Sequence, residues 1–340
     1  MKSRSRKSIV VFILVLSLIV SVIGLTGCSK GESQTGEQPQ QTEEKTKDNI
    51  TIGLSYLGPN SSWAVSWLKT FKEEVAKQGI DCVILDANAD PVLQDQHMEQ
   101  LIQKKVDCII CWPVDSTTVG TKIKAAYDAG IPVLDPESIV ADELLPYVVY
   151  VGYDTRMSGT HSVEFLNEAL NGQGTVVAVN GQKGYAVAEQ KSLHDEDLQK
   201  YPGLKVLQQE WTDWSREDAQ SKMENLLTRY PDVDAVVAGD DNLMQGCLNA
   251  IKNRGLVPGK DIICVSGAYF GCGYDALKNG EVYGCTLIPP TDEARQVVDV
   301  AIKMALGEQK TPDKIMIPII KLTKENLDNV PGYDLKNADW

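Results

Sequence analysis

Two stretches echo each other across the chain: Val106-Asp107-Cys108-Ile109-Ile110-Cys111-Trp112, with Asp115 shortly after, and Val233-Asp234-Ala235-Val236-Val237-Ala238-Gly239, with Asp241 and Asn242 shortly after. Each is a short apolar run opened by Val-Asp, with an amphipathic stretch on either side. Unbroken runs of this kind mark strands buried on both faces, as in parallel sheets covered by helices. Working outward, further apolar runs at residues 50–56, 81–85, 132–134, 147–152, 175–180, 205–210, 262–266, 282–287 and 315–320 alternate with longer amphipathic ones. Helical spacing appears at 63–78, 93–104, 117–129, 158–170, 216–229, 243–253 and 292–306, with Gly79, Gly130, Gly255 and Gly280 placed to close helices. Strands alternating with helices predict βαβ units, and the repeated motif predicts two similar α/β lobes, each a doubly wound, Rossmann-like parallel sheet.

The chain has 340 residues, 43% of them hydrophobic, enough for two compact units with sizeable cores. Its 33 basic and 47 acidic side chains give a net charge of −14, which argues against nucleic acid as a partner, since phosphate binding relies on Lys and Arg. At the start, Lys2, Arg4, Arg6 and Lys7 precede an uncharged, aliphatic-rich run over residues 8–27. That layout is an export signal, and Leu25-Thr26-Gly27-Cys28 looks like the lipobox of bacterial lipoproteins. The alternative is a plain transmembrane helix, for which the run is nearly long enough. On the lipoprotein reading residues 1–27 are a signal peptide, Cys28 carries the lipid, and the mature charge is −18. Residues 29–48 contain no aliphatic or aromatic side chain, so they predict a flexible tether reaching on the order of 25 Å. The protein is then expected outside the cytoplasm, lipid-anchored to the cell membrane.

Seven further cysteines remain, an odd number for an exported protein. Cys108 and Cys111 fall within one strand, where positions three apart face opposite sides, so the Cys-x-x-Cys spacing does not make a metal or redox site there. We read the cysteines as small buried hydrophobes, with a disulfide among Cys247, Cys264, Cys272 and Cys285 left open. His97, His161 and His194 are far apart, and no nucleophile elbow, zinc-helix motif, phosphate loop or dinucleotide turn is present. The expectation is a binding protein without catalytic group, metal or cofactor.

Open α/β sheets bind ligands beyond the carboxyl ends of their strands. The residues there are Asn60, Ser62 and Trp63; Trp112 and Asp115; Asp135 and Glu137; then residues 182–185, 212–214, 240–242, 268–270 and 288–290. Aromatic rings, carboxylates and amides recur among them, which suits a small polar ligand held between two lobes.

These residues carry a resemblance. Ile52-Gly53-Leu54, Asn60-Ser61-Ser62-Trp63, Ile131-Pro132-Val133-Leu134-Asp135, Val151-Gly152-Tyr153-Asp154, Thr212-Asp213-Trp214-Ser215-Arg216, Asp232-Val233-Asp234-Ala235-Val236 and Asp240-Asp241-Asn242 stand in an order similar to that of ribose-binding-protein-like solute-binding proteins, the type I periplasmic binding proteins of ABC importers. The resemblance spans residues 49–320. It implies two lobes joined by a three-crossover hinge near Tyr153, Leu287-Ile288 and Met316 to Pro318: an N-terminal lobe of residues 49–153 plus 288–316, and a C-terminal lobe of 154–287 plus 317–340. The family's ligand-binding positions fall on Asn60, Ser62, Trp63, Trp112, Asp135, Lys191, Trp214, Asp240, Ala268 and Ile288. Here Ser62 replaces a ring, Pro136 replaces the arginine after Asp135, Lys191 stands for a second arginine, and Ala268 and Ile288 replace polar groups.

With fewer forked cations, the site is expected to take a ligand rich in donors, stacked on indole faces and gripped by Asp135 and Asp240. A monosaccharide or polyol fits that description, and so does a cationic or heterocyclic amine held by cation–π attraction. Trp112 can equally be a core residue, and Trp211 a cover for a sheet edge. The resemblance implies ABC permease subunits as partners of a monomer, although a sensing subunit of a membrane receptor would use the same cleft.

Overall fold

The structure is a computed structural model that describes residues 45–59 and 61–338. Its elements run β1 (Thr51–Tyr56), α1 (Ser62–Gln78), β2 (Asp81–Asp86), α2 (Pro91–Lys104), β3 (Cys108–Cys111), α3 (Gly120–Asp128), β4 (Val133–Pro136), β5 (Val148–Tyr153), α4 (Thr155–Ala169) and β6 (Gly174–Asn180). They continue with α5 (Ala186–Lys191), α6 (Asp195–Leu198), β7 (Leu204–Trp211), α7 (Arg216–Arg229), β8 (Ala235–Ala238), α8 (Asp241–Asn253), β9 (Ile263–Tyr269), α9 (Tyr274–Lys278), β10 (Gly284–Leu287), α10 (Pro290–Ala305), β11 (Asp313–Ile317) and β12 (Ile320–Thr323). No helix among the described residues is long and apolar enough to cross a membrane. Cys28, the lipobox and the tether up to residue 44 lie outside the described residues, as does Asn60. The last four tether residues, 45–48, are held against the first lobe, where Lys45 pairs with Asp107 at 2.9 Å and Lys47 donates to Gln78 at 3.1 Å, so the flexible stretch expected over 29–48 does not reach 48 but ends before residue 45.

The strands form two six-stranded sheets, ordered β11-β5-β4-β3-β1-β2 and β12-β10-β9-β8-β6-β7. The two orders correspond strand for strand, so the lobes are two versions of one doubly wound design. The echoing motifs occupy equivalent places, β3 beside β1 and β8 beside β6. Their shared aspartates have one job. The Thr51 N–H donates to Asp107 Oδ2 at 2.8 Å, and the Thr175 N–H to Asp234 Oδ2 at 2.7 Å, so each carboxylate ties down the start of the neighbouring strand. The repeat is therefore a strand-pairing device, with the site located at the opposite ends of the strands.

Local chemistry sets the helix starts. Ser61, Asp90, Ser215 and Asp240 accept hydrogen bonds from first-turn amides, Pro91 opens α2, and Gly79 closes α1 in the left-handed region at φ 71°. Each sheet buries apolar side chains on both faces. Cys108 lies in one core of the first lobe and Cys111 in the other, as strand alternation requires. All seven cysteines among the described residues are free thiols; Cys272 is exposed, Cys82 is half-buried and the rest are buried.

The chain passes between sheets three times: after Tyr153, after Leu287 and after Ile317. The last passage differs from the single strand expected over 315–320. Ile317 still pairs with Tyr153 in the first sheet, whereas Ile320 pairs antiparallel with Leu287 in the second. Pro318, with no N–H to give a ladder, falls at the break.

Candidate functional site

A tight cavity of about 30 Å³ lies between the carboxyl ends of the two sheets. The first lobe contributes Leu57, Ser61, Trp63, Ala64, Trp112 and Glu137 to its wall, and the second contributes Tyr185, Lys191, Trp214, Asp240 and Phe270.

The first-lobe wall is built on rings. Trp112 meets Tyr56, Trp63 and Trp67 edge-on at centroid distances of 5.6, 5.7 and 4.9 Å. Its backbone is fixed by the buried Gln94 of α2, whose amide donates to the Trp112 carbonyl at 2.7 Å and accepts from the Val114 N–H at 2.7 Å. Trp63 donates from Nε1 to the Ile288 carbonyl at 2.9 Å, which fastens the ring to the second crossover. Trp112 is thus both core and wall: its body is packed, and its Nε1 donates to the Tyr185 hydroxyl of the other lobe at 3.2 Å.

The second-lobe wall centres on Trp214, which sits in the left-handed region at φ 70°, a conformation costing a non-glycine residue on the order of 1 kcal/mol. The surroundings hold it there. Its N–H donates to Thr212 Oγ1 at 3.2 Å, and its carbonyl accepts from Asn242 Nδ2 at 3.1 Å. The indole lies against Gly181, where an added Cβ would stand 2.0 Å from Cζ2. Gly181→Ala is therefore expected to displace the ring, shifting tryptophan emission and weakening ligand binding at least tenfold, as fluorescence and calorimetry can check.

Three charged groups share the cavity. Lys191 Nζ lies 5.8 Å from the Trp214 ring centroid. Asp240, at the N-cap of α8, accepts from the Leu243 N–H at 2.7 Å. Glu137 takes a left-handed turn just past β4, at φ 56°. Its N–H donates to the Val151 carbonyl, its carbonyl accepts from the Tyr150 hydroxyl at 3.0 Å, and its carboxylate accepts from the Tyr185 hydroxyl across the cleft. Burial pushes the Glu137 and Asp240 carboxyls up from their ordinary range, and Lys191 partly offsets the shift of both.

Trp63, Trp112, Lys191, Trp214 and Asp240 therefore stand together at the cavity. Other expected residues sit elsewhere. The carboxyl of Asp135 is fully buried behind the wall and turned to its own chain, accepting from the Val140 N–H at 2.8 Å. Glu137, two residues on, holds the place expected of it, because the left-handed turn swings that side chain into the cleft. Ser62 is exposed and lines an outer recess at the mouth, while Ser61 reaches the cavity. Ala268 and Ile288 are buried in the apolar cluster behind Trp63, and of the two Ile288 contributes its carbonyl as the anchor for that indole. Trp211 ends β7 and packs on the second-lobe core. Tyr185 and Phe270 were visible only as members of longer strand-end segments, and Glu137 was named beside Asp135 at its strand end without a ligand role. The Asn180-Gly181 pair was the overlooked signal for the close approach of Trp214.

Two mainly parallel sheets, joined by three crossovers and meeting at a cavity of rings and charges, define a two-lobed binding protein. The chain belongs to the periplasmic binding protein domain family, whose profile matches residues 52–309. It is 28% identical over 309 residues to a xylitol-binding protein of Mycolicibacterium smegmatis, covering 90% of this chain and 83% of that one. It is 31% identical over 264 residues to a ribose import binding protein of Bacillus subtilis, covering 76% and 80%. A solved structure from Mycobacterium smegmatis in complex with β-D-fucofuranose superposes with a TM-score of 0.75 at 25% identity, covering 82% of this chain and 92% of that one.

Proposed function

We propose that the chain is a lipid-anchored, extracytoplasmic receptor for an ABC importer, and that its cleft takes a neutral polyhydroxylated solute, a monosaccharide or a polyol. The observation that carries this reading is one ammonium, Lys191, placed among two carboxylates, Glu137 and Asp240, and the faces of Trp63 and Trp214. A hydroxyl both accepts and donates, so adjacent hydroxyls on one ligand can satisfy Lys191 and an acid together. The C–H faces of such a ligand suit indole walls. A cationic amine would meet the ammonium as well as the two carboxylates, so it gains less there than in a purely acidic cleft, which favours the neutral ligand. The names of the relatives, which refer to xylitol and ribose, support the same class. Anchorage through Cys28 rests on the lipobox and tether, and delivery to permease subunits on the family's role.

A thermal-shift panel of pentoses, hexoses, polyols and amines tests the ligand class, because whatever binds only the folded state raises the melting temperature. A polyhydroxylated solute is expected to stabilise, with an affinity that stays flat between 20 and 500 mM salt. Lys191→Met is expected to weaken it at least tenfold by calorimetry, about 1.4 kcal/mol. Stabilisation by amines alone, with a steep salt dependence, would overturn the assignment.

A further inference from the structure

Asp240 and Asp241 are adjacent, yet they do different work. Asp240 caps α8 and faces the cavity, whereas Asp241 is 2% exposed and turns toward the loop after β9. One oxygen of Asp241, Oδ2, accepts from three backbone amides of that loop: Phe270 at 3.3 Å, Gly271 at 3.2 Å and Gly273 at 3.0 Å. The loop is shaped for this grip. Gly271 has φ 136°, and a Cβ at Gly273 would stand 3.1 Å from the Asp241 Cβ and 3.4 Å from Oδ2. The other oxygen, Oδ1, is buried without a hydrogen-bond partner. Phe270, the first residue held, lines the ligand cavity and packs into the apolar cluster that contains Trp63 and Trp67 of the first lobe. The gripped loop therefore carries a second-lobe ring across the cleft.

We propose that Asp241 is a positioning residue of the cleft: as a carboxylate it pins the 270–273 loop, holds Phe270 against the first lobe, and releases that hold on protonation. The importance of Phe270 for ligand rests on the cleft being the binding site; the pin itself does not. Taking up a proton at Oδ1 removes the negative charge that strengthens the three N–H bonds to Oδ2. Burial, reinforced by the charge of Asp240, pushes the Asp241 carboxyl up to about 7. The other titratable groups around it are Tyr269, Cys285 and Cys272, and Arg216 acts on Cys272. The Cys272 thiol hydrogen-bonds the Asp241 carboxyl and, with the loop amides, partly offsets the rise. The switch therefore falls near neutral pH, with Asp241 ionised and the loop held on the alkaline side.

The test follows the Phe270, Gly271 and Gly273 amides by NMR between pH 5 and pH 9, in the unmodified protein and in Asp241→Asn. The three signals are expected to move together with one midpoint in the former and to stay flat in the latter, where their hydrogen exchange rises at least tenfold. Affinity for xylitol or D-ribose, whichever binds, is expected to fall at least fivefold from pH 8 to pH 6, and Asp241→Asn is expected to show the weaker value at both. Should Asp241→Asn fail to fold, Gly273→Ala, which crowds Oδ2, is expected to abolish the common midpoint. Amides that do not titrate together, or that titrate equally in the variant, overturn the pin. Common titration in a protein that binds neither probe supports the pin and counts only against the sugar reading.

Discussion

Replacing Trp214 with alanine is expected to weaken ligand binding by about 100-fold, roughly 3 kcal/mol, the size of effect a buried aromatic anchor produces. The ring serves two partners at once, offering a face to the cavity and supporting the Lys191 ammonium. Its removal takes away the stacking surface and leaves Lys191 free to leave the position in which it can donate to ligand. The loss should appear mainly in the dissociation rate, as most affinity changes within one site do. Trp211→Ala is the control: that ring lies three residues away but packs on the second-lobe core, so affinity should change less than threefold. Equal losses in the two variants would mean that Trp214 acts through folding and does not contact the ligand.

The second large effect is on stability against pH, and its sign is opposite to that of most acidic proteins. Asp135, Glu137, Asp240, Asp241 and Glu293 are all held above their ordinary carboxyl range by burial. A carboxyl that binds its proton more tightly when folded adds stability below its unfolded value and loses it as pH rises through the folded value. For Asp241 that window runs from 3.8 to about 7. Going from pH 8 to pH 5 should add roughly 3 kcal/mol from this group alone, a rise in melting temperature on the order of 5 °C or more. The other four groups act in the same direction. His97 and His161, both held low by burial, oppose them inside this window and lose stability as pH falls through 6.5, so the net rise is the excess of the carboxyls over the two imidazoles. Asp197, which burial alone would raise but Lys200 and Arg156 hold low, opposes them only as pH falls below 3.8. Calorimetry from pH 8 to pH 4 should therefore find the melting temperature climbing toward acid, and a steady fall over pH 8 to 5 would refute the account. Stability and affinity are expected to move in opposite directions over this range, because protonation that relieves a buried charge also loosens the 270–273 loop.

Much of the fold can be read from periodicity, because strands covered on both faces have little choice but to be apolar throughout. The Val-Asp echo located equivalent strands before any topology was known, and its carboxylates explain why the pair recurs. The final strands were harder. Residues 315–320 form one apolar run, and only the pairing partners show that Pro318 divides it between sheets. The site was legible where a side chain projects straight from a strand or helix end, as at Trp63, Trp112 and Asp240. It was obscured where backbone takes the left-handed region without glycine. Glu137 does so, at φ 56°; Trp214 does too, at φ 70°, but the resemblance had already marked that ring. No residue-type pattern announces such turns, so Asp135, regular and in register, drew the assignment that belongs beside Glu137.

The break at Pro318 also governs how the two halves travel. Between the last residue of β11 and the first of β12 stand only Pro318 and Ile319, a leash spanning at most roughly 11 Å when taut. Its proline cannot rotate about φ, so the leash bends chiefly at its far end. An outer strand of each sheet is thus tied to the other almost without slack, and a wide gape would have to unzip one of them. The straps after Tyr153 and Leu287, one and two residues long before the next helix, are no longer than this one, so the jaws are expected to make a short, repeatable stroke.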